Sequence, residues 1–136
     1  MKWNTTFSGS VKPGKQRKFV RNAPLHIKST LLGSHLSKDL RQKLKKRSLR
    51  VRKGDKVKVL RGQHKGKTGT VDRVDTNRMK VFITGIEFPK KDGSKAMYPI
   101  HPSKLLIQEL HADKRRLGNA EQVRRASSSK LGSEQK

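Results

Sequence analysis

The sequence predicts a mainly β protein, in which a small closed barrel follows two short helices and is flanked by extended basic arms. Three observations carry this expectation. Between residues 56 and 110 apolar and polar residues alternate in short runs, the period of half-buried strands. Turn-forming Gly, Asn and Asp residues separate those runs, as tight connections in a meander require. Finally, 30% hydrophobic and 4% aromatic content over 136 residues is too lean to fill a core along the whole chain, so part of it must lie outside the globule.

The 35 Lys and Arg against 10 Asp and Glu give a formal net charge of +25, which repels itself unless a polyanion neutralises it. Nucleic acid is the partner this charge implies. A membrane surface is the poorer fit, because neither an amphipathic basic helix with bulky anchors nor a lipidation signal is present; Lys2 stands where myristoylation needs glycine. The absence of cysteine excludes disulfides, thiolate zinc sites and cysteine nucleophiles. Residues 1–10 lack the apolar core of a secretory signal, and no run approaches a membrane span. A cytoplasmic setting is expected. Residues 1–53 hold 16 Lys and Arg with Asp39 as their sole acid. The N-terminal third is therefore the electrostatic arm, and the better-balanced middle is the part that folds.

Residues 1–22 combine Gly9, Pro13 and Gly14 with Lys12, Lys15, Arg17, Lys18 and Arg21, predicting an extended segment that orders on its partner. Residues 23–52 hold the two helices. Pro24 suits the start of the first, with Leu25, Ile27, Leu31 and Leu32 as apolar positions and Gly33 as its stop. Ser37 is the expected N-cap of the second, with Asp39 in the first turn and Leu40 and Leu44 on one face. Neither is long enough to be stable alone.

The barrel is expected over residues 53–110. Lys56 to Leu60, Thr70 to Val74 and Met79 to Ile83 alternate as three strands. Arg61 to Gly69, with three glycines, must turn tightly, and Asp75 to Arg78 is a hairpin turn of the Asn/Asp kind. Asp92-Gly93 marks a further hairpin near residues 89–95, whose return strand meets Pro99 and Pro102. Ser103 to Leu110 is a closing strand, with a helix as the lesser option. Residues 111–136 form a polar tail, a frayed helix over Asp113 to Arg125 followed by a disordered end.

The stretch from Lys53 to Val71, with Gly62, Gly66 and Gly69 between two alternating runs, resembles a KOW motif, the strand, glycine loop and strand of an SH3-like barrel. Such barrels also occur in transcription elongation factors. The flanks are more specific. Lys15 to Lys18, Asn22 to Ile27, Leu36 to Arg41 and Tyr98 to Lys104 are similar, in order, to the archaeal and eukaryotic branch of the universal large-subunit ribosomal protein twenty-four family. The resemblance covers roughly Lys15 to Leu110. It implies a structural, early-assembling protein that binds the 5′ region of large-subunit rRNA beside the polypeptide exit tunnel, among neighbouring ribosomal proteins. The family's exit-facing hairpin would centre on Lys90, Lys91, Asp92 and Gly93.

Candidate RNA-binding residues follow from loop chemistry, charge and these motifs. In the glycine loop they are Arg61, Gly62, His64, Lys65, Gly66 and Lys67, whose N–H groups and cations suit a phosphate better than a base edge. The basic run supplies Lys45, Arg47, Arg50, Arg52 and Lys53, a pattern that also suits nuclear import. The arm adds Lys12, Lys15, Arg17, Lys18 and Arg21, and the flanking motifs add Asn22, His26, Lys28, Ser37, Lys38, Arg41, His101, Ser103 and Lys104. Trp3 and Phe7 suit base stacking or protein contact equally.

The five histidines lack metal-ligand spacing, so no metal, cofactor or small-molecule substrate is expected. Asp55, Asp72 and Asp75 are expected as structural ion-pairing groups, since no nucleophile with a base and its orienting group is recognisable. Three functions compete on these grounds: a structural rRNA-binding protein, a regulatory module of the transcription machinery, and an RNA-processing enzyme. The ordered motif set favours the first.

Overall fold

The computed structural model describes residues 3–111. A 3-10 turn at Thr5–Gly9 leads to α1 (Pro13–Asn22), α2 (Leu25–Thr30), β1 (Gly33–Leu36), α3 (Lys38–Leu44) and β2 (Ser48–Arg50). Then follow β3 (Lys56–Val59), β4 (Thr68–Asp75), β5 (Lys80–Ile83), β6 (Glu87–Pro89) and β7 (Lys95–Met97), a 3-10 turn at Pro102–Lys104, and β8 (Leu105–Glu109). The fold is mainly β, with a mixed six-stranded sheet in the order β2-β1-β8-β3-β4-β5 and a separate β6–β7 hairpin.

Period-2 alternation builds the core. Val57 and Val59 of β3, Val81 and Ile83 of β5, and Leu105 and Ile107 of β8 all point inward and are buried. They join Leu36, Val51, Val71, Ile86 and Ile100 in one cluster, against which Leu40 and Leu44 of α3 pack. Each such aliphatic side chain contributes roughly 1.5–3 kcal/mol when fully withdrawn from water. β8 lies between β3, with Val57 opposite Ile107, and β1, with Leu36 opposite Ile107. The β1–β8 pair is parallel and the other pairs are antiparallel.

Several expectations need correction. The sheet is not a closed barrel: β2 and β5 stand at its two ends. The outer edge of β5 meets only an isolated bridge from Val81 to Ile100. Pro99 and Pro102, which have no N–H to donate, flank Ile100 and prevent a longer ladder there. The arm over residues 1–22 is also not extended, because α1 covers Pro13–Asn22 with Pro at its first position. None of its residues is buried. It is held by Trp3, whose ring lies 5.1 Å from Phe19 and whose Nε1–H donates to the Phe19 carbonyl, and by Gln16 Nε2, which donates to the Ser8 and Ser10 carbonyls. Trp3 thus packs within the chain.

Both expected helices form. Pro24 is the N-cap of α2, and the Ser37 hydroxyl accepts from Leu40 N–H at the start of α3. Strands β1 and β2 were not expected in residues 23–52. β1 buries Ser34 beside Leu36, the Ser34 hydroxyl donating to the Pro102 carbonyl at 2.6 Å. A polar residue on the inner face hides the alternation. β2 is an edge strand inside the cationic run, with only Leu49 half-buried. The expected helix over residues 113–125 lies outside the described residues.

Asp55 is fully buried and joins three parts of the sheet. Its carboxylate accepts from Arg52 N–H at 2.9 Å and from His111 N–H at 3.1 Å, while its carbonyl accepts from Val71 N–H at 2.9 Å. Asp72 pairs with Lys53 at 3.8 Å across an exposed surface, and Asp75 accepts from Arg78 N–H. The ion-pairing expectation therefore holds for Asp72, whereas Asp55 and Asp75 also serve as backbone caps. Arg73 lies over the Phe82 ring, 4.4 Å from its centroid.

Gly69 faces Val57 across β3–β4, and a Cβ there would fall 2.6 Å from the Thr84 carbonyl oxygen and 2.7 Å from Ile83 Cγ2. Gly69→Ala is expected to destabilise the fold by about 1–3 kcal/mol, seen as a lower urea midpoint with an unchanged slope. Asp55→Ala, which leaves the Arg52 and His111 N–H groups without their acceptor, should cost about 1–3 kcal/mol. An unchanged midpoint for Asp55→Ala would show that the cap is dispensable.

Candidate nucleic-acid interface

The loop from Arg61 to Lys67 is closed at its base by backbone bonds. Gly66 N–H donates to the Val59 carbonyl at 2.8 Å, and Val59 N–H donates to the Lys67 carbonyl at 2.9 Å. Gly62 and Gly66 have φ of 99° and 88°, the left-handed region in which a side chain is strained. Arg61, Lys65 and Lys67 are exposed around this turn. The loop is also tied to a distant part of the chain, since Leu60 N–H donates to the Lys104 carbonyl at 2.8 Å.

That tie creates a cleft of about 110 Å³ in which Arg61, Gly62 and His64 meet His101 and Lys104, together with Lys80 and Tyr98. Five expected site residues from the loop and the Tyr98–Lys104 motif thus converge with two that were not expected. The His64 ring sits edge-on to Tyr98 with centroids 4.8 Å apart, and Tyr98 in turn sits edge-on to Phe88 at 6.2 Å. His64 Nε2 is buried with no hydrogen-bond partner. His101 caps the Pro102–Lys104 turn: its Nδ1 accepts from Ser103 N–H at 3.3 Å and lies 2.9 Å from the Ser103 hydroxyl. Burial, then the charges of Lys80 and Lys104, hold His101 below the ordinary histidine range. The bond at Nδ1 assigns the proton of the neutral ring to Nε2, which is left as a donor.

Two further cationic clefts lie elsewhere. One, of about 640 Å³, gathers Arg50, Arg52 and Lys53 with Asp72, Arg73 and His111. The other, of about 560 Å³, gathers Arg17, Arg21 and Lys28 with Asn77 and Arg78. Lys12, Lys15, Lys18, Asn22, His26 and Lys38 are exposed on the N-terminal helices and line none of these three clefts. Arg41 is committed to the fold, donating from Nε to the Leu36 carbonyl at 2.8 Å. Lys45 takes the left-handed C-cap of α3, and the Arg47 carbonyl accepts from Leu36 N–H.

The β6–β7 hairpin carries Lys90, Lys91, Asp92 and Gly93 at an exposed tip. Asp92 accepts from the Ser94 hydroxyl at 2.8 Å and from Ser94 N–H, and these bonds lower its pKa. The tip is thus a pre-formed turn.

Sequence reasoning missed Lys80, Tyr98, Asn77, Arg73 and Arg78 as members of these clefts. Lys80 and Arg73 are outward positions of alternating strands, and that alternation was the available signal. Among the described residues no group of three or more His, Asp or Glu side chains is placed to hold a metal ion, and no helix is long and apolar enough to cross a membrane. Cations gathered around a narrow, backbone-closed turn suit an extended polyanion.

Comparison with known proteins agrees. Residues 10–123 match the family described as "Ribosomal proteins L26 eukaryotic, L24P archaeal". The chain is 42% identical, over 111 residues, to the large ribosomal subunit protein uL24 of Methanosphaera stadtmanae, an alignment covering 82% of this chain and 95% of that protein. With the match extending from the first helix beyond the last strand, the chain belongs to this archaeal and eukaryotic family of large-subunit ribosomal proteins.

Proposed function

We propose that this protein is a structural, non-catalytic constituent of the large subunit of the cytoplasmic ribosome, and that it binds the 5′ region of large-subunit rRNA during early assembly. The observation that carries the reading is the loop between β3 and β4, a tight backbone turn ringed by exposed Arg61, Lys65 and Lys67 and bonded to the segment that presents His101 and Lys104. Cations gathered in one concave patch bind phosphates without reading bases. The two other cationic clefts extend the same chemistry over the surface.

In this reading residues 1–22 are a basic rRNA-binding arm, residues 23–52 dock it, and residues 53–110 form an SH3-like unit wedged between RNA helices. The exposed tip at Lys90 to Gly93 faces the polypeptide exit tunnel. Residues 111–136 are a separate polar tail. The partners are large-subunit rRNA and adjacent ribosomal proteins, and no cofactor is required. The match to ribosomal proteins over residues 10–123 supports the assignment.

Lys65→Ala with Lys67→Ala should weaken binding to a large-subunit rRNA fragment and flatten the dependence of log K on log salt. Each lost phosphate contact removes about 0.7–0.9 units of slope. An unchanged slope would place the loop against protein or solvent. His101 supplies a second test. Its folded pKa is depressed, so its contribution to stability is fully present above the unfolded value and declines as pH falls through the folded one. A phosphate at Nε2 favours the charged ring. The His101 midpoint, followed by NMR, should therefore lie below the ordinary histidine value in the free protein and rise when rRNA is added.

A further inference from the structure

Lys28 is only 7% exposed, yet its ammonium Nζ has a neutral amide as its one hydrogen-bond partner among the described residues, Asn77 Oδ1 at 2.9 Å. Burying a cation is unfavourable unless an anion accompanies it. The groove beside it supplies none. Arg17 and Arg21 from α1 and Arg78 from the β4–β5 turn share its lining with Lys28, so every charged side chain that lines it among the described residues is a cation. Its volume of about 560 Å³ leaves room for more than a water molecule between them. The turn is also held in an uncommon conformation, with Met79 at φ 53° and Arg78 N–H bonded to Asp75. Since α1 buries no residue of its own, the groove separates a weakly anchored helix from the sheet by like charges.

We propose that this groove is a phosphodiester site, in which an RNA backbone segment supplies the anion that Lys28 lacks and joins α1 and α2 to the β4–β5 turn. Lys28, Arg17, Arg21 and Arg78 contact phosphate oxygens, and Asn77 orients the Lys28 ammonium. The inference rests on the rRNA-binding reading and adds to it a turn, Asn77 and Arg78, outside the glycine loop.

The test uses the full chain with Lys28→Met and, separately, Arg78→Gln, whose exposed side chain leaves the fold intact. Melting is measured without RNA, in chloride and in inorganic phosphate at matched ionic strength, and binding to a 5′-region large-subunit rRNA fragment is measured against salt. Lys28→Met should melt at the same or a higher temperature without RNA, because it removes an uncompensated charge. Both variants should bind the fragment more weakly, with the salt slope reduced by about 0.7–0.9 units each. If Lys28→Met lowers the melting temperature and leaves the slope intact, Lys28 is a structural donor and the proposal fails. A slope kept by Arg78→Gln overturns it even if Lys28→Met does not fold. Stabilisation by inorganic phosphate that Lys28→Met abolishes, without any change in RNA slope, would identify a free anion and overturn the RNA assignment. The glycine-loop variant separates the two readings. A slope flattened there but not in the groove variants sinks the groove alone, whereas wild-type protein that does not bind the fragment removes the reading beneath it.

Discussion

The chain carries thirty-five cationic side chains, whereas its core cluster numbers eleven buried residues among those described, and this imbalance governs the rest of the molecule. Apolar burial is roughly proportional to area, whereas the self-repulsion of a strongly basic surface grows with every added cation. In β3 the fold responds by turning one face inward and giving the other to charge, along the Lys56-Val57-Lys58-Val59 run. Where like charges must converge, compensation is local. His101 stays neutral between Lys80 and Lys104, and Arg73 places its guanidinium over the Phe82 ring. Among the described residues the Lys28 ammonium has only an amide as its hydrogen-bond partner. A polyanion that bound the folded chain and not the unfolded one would stabilise it by mass action.

Buried Asp55 shows how so small a core holds such a surface. One carboxylate and its own carbonyl take N–H groups from neighbouring Arg52 and from His111 and Val71, which are distant in sequence. The bonds fix the entry to β3 against the exit from β8 without further apolar area. The same economy recurs at Ser34, whose hydroxyl reaches the Pro102 carbonyl, and at Leu60, whose N–H reaches Lys104. Backbone bonds between distant segments thus assemble the clefts, and their cations are carried along by the strands and turns.

What was legible in the sequence was local. Strands β3, β4 and β5 announce themselves by alternation, the β6–β7 hairpin by Asp92-Gly93, and α3 by Ser37 at its cap. Each is set by residues within a few positions of one another. β1 and β2 escaped because their status depends on partners: Ser34 is an inner-face residue only because Pro102 receives its hydroxyl. Helix α1 escaped because its supports, Trp3 and Gln16, are polar or aromatic contacts across a turn and not an apolar stripe. Among site residues the glycine loop was readable from composition. Its meeting with Lys80 and Tyr98, and that of Lys28 with Asn77, were not, since pairs so far apart in sequence are fixed only by the sheet.

Placing β8 in the middle of the sheet has a consequence for the order in which the chain takes shape. β1 can pair with β8 only after residue 107 has been made, because Leu36 is opposite Ile107 in a parallel register. During synthesis the most basic third of the protein must therefore wait, with β1 and β2 lacking their central neighbour, until nearly the last described strand emerges. Pairings this distant in sequence close slowly, and unpaired strands are open to misassociation in the interval.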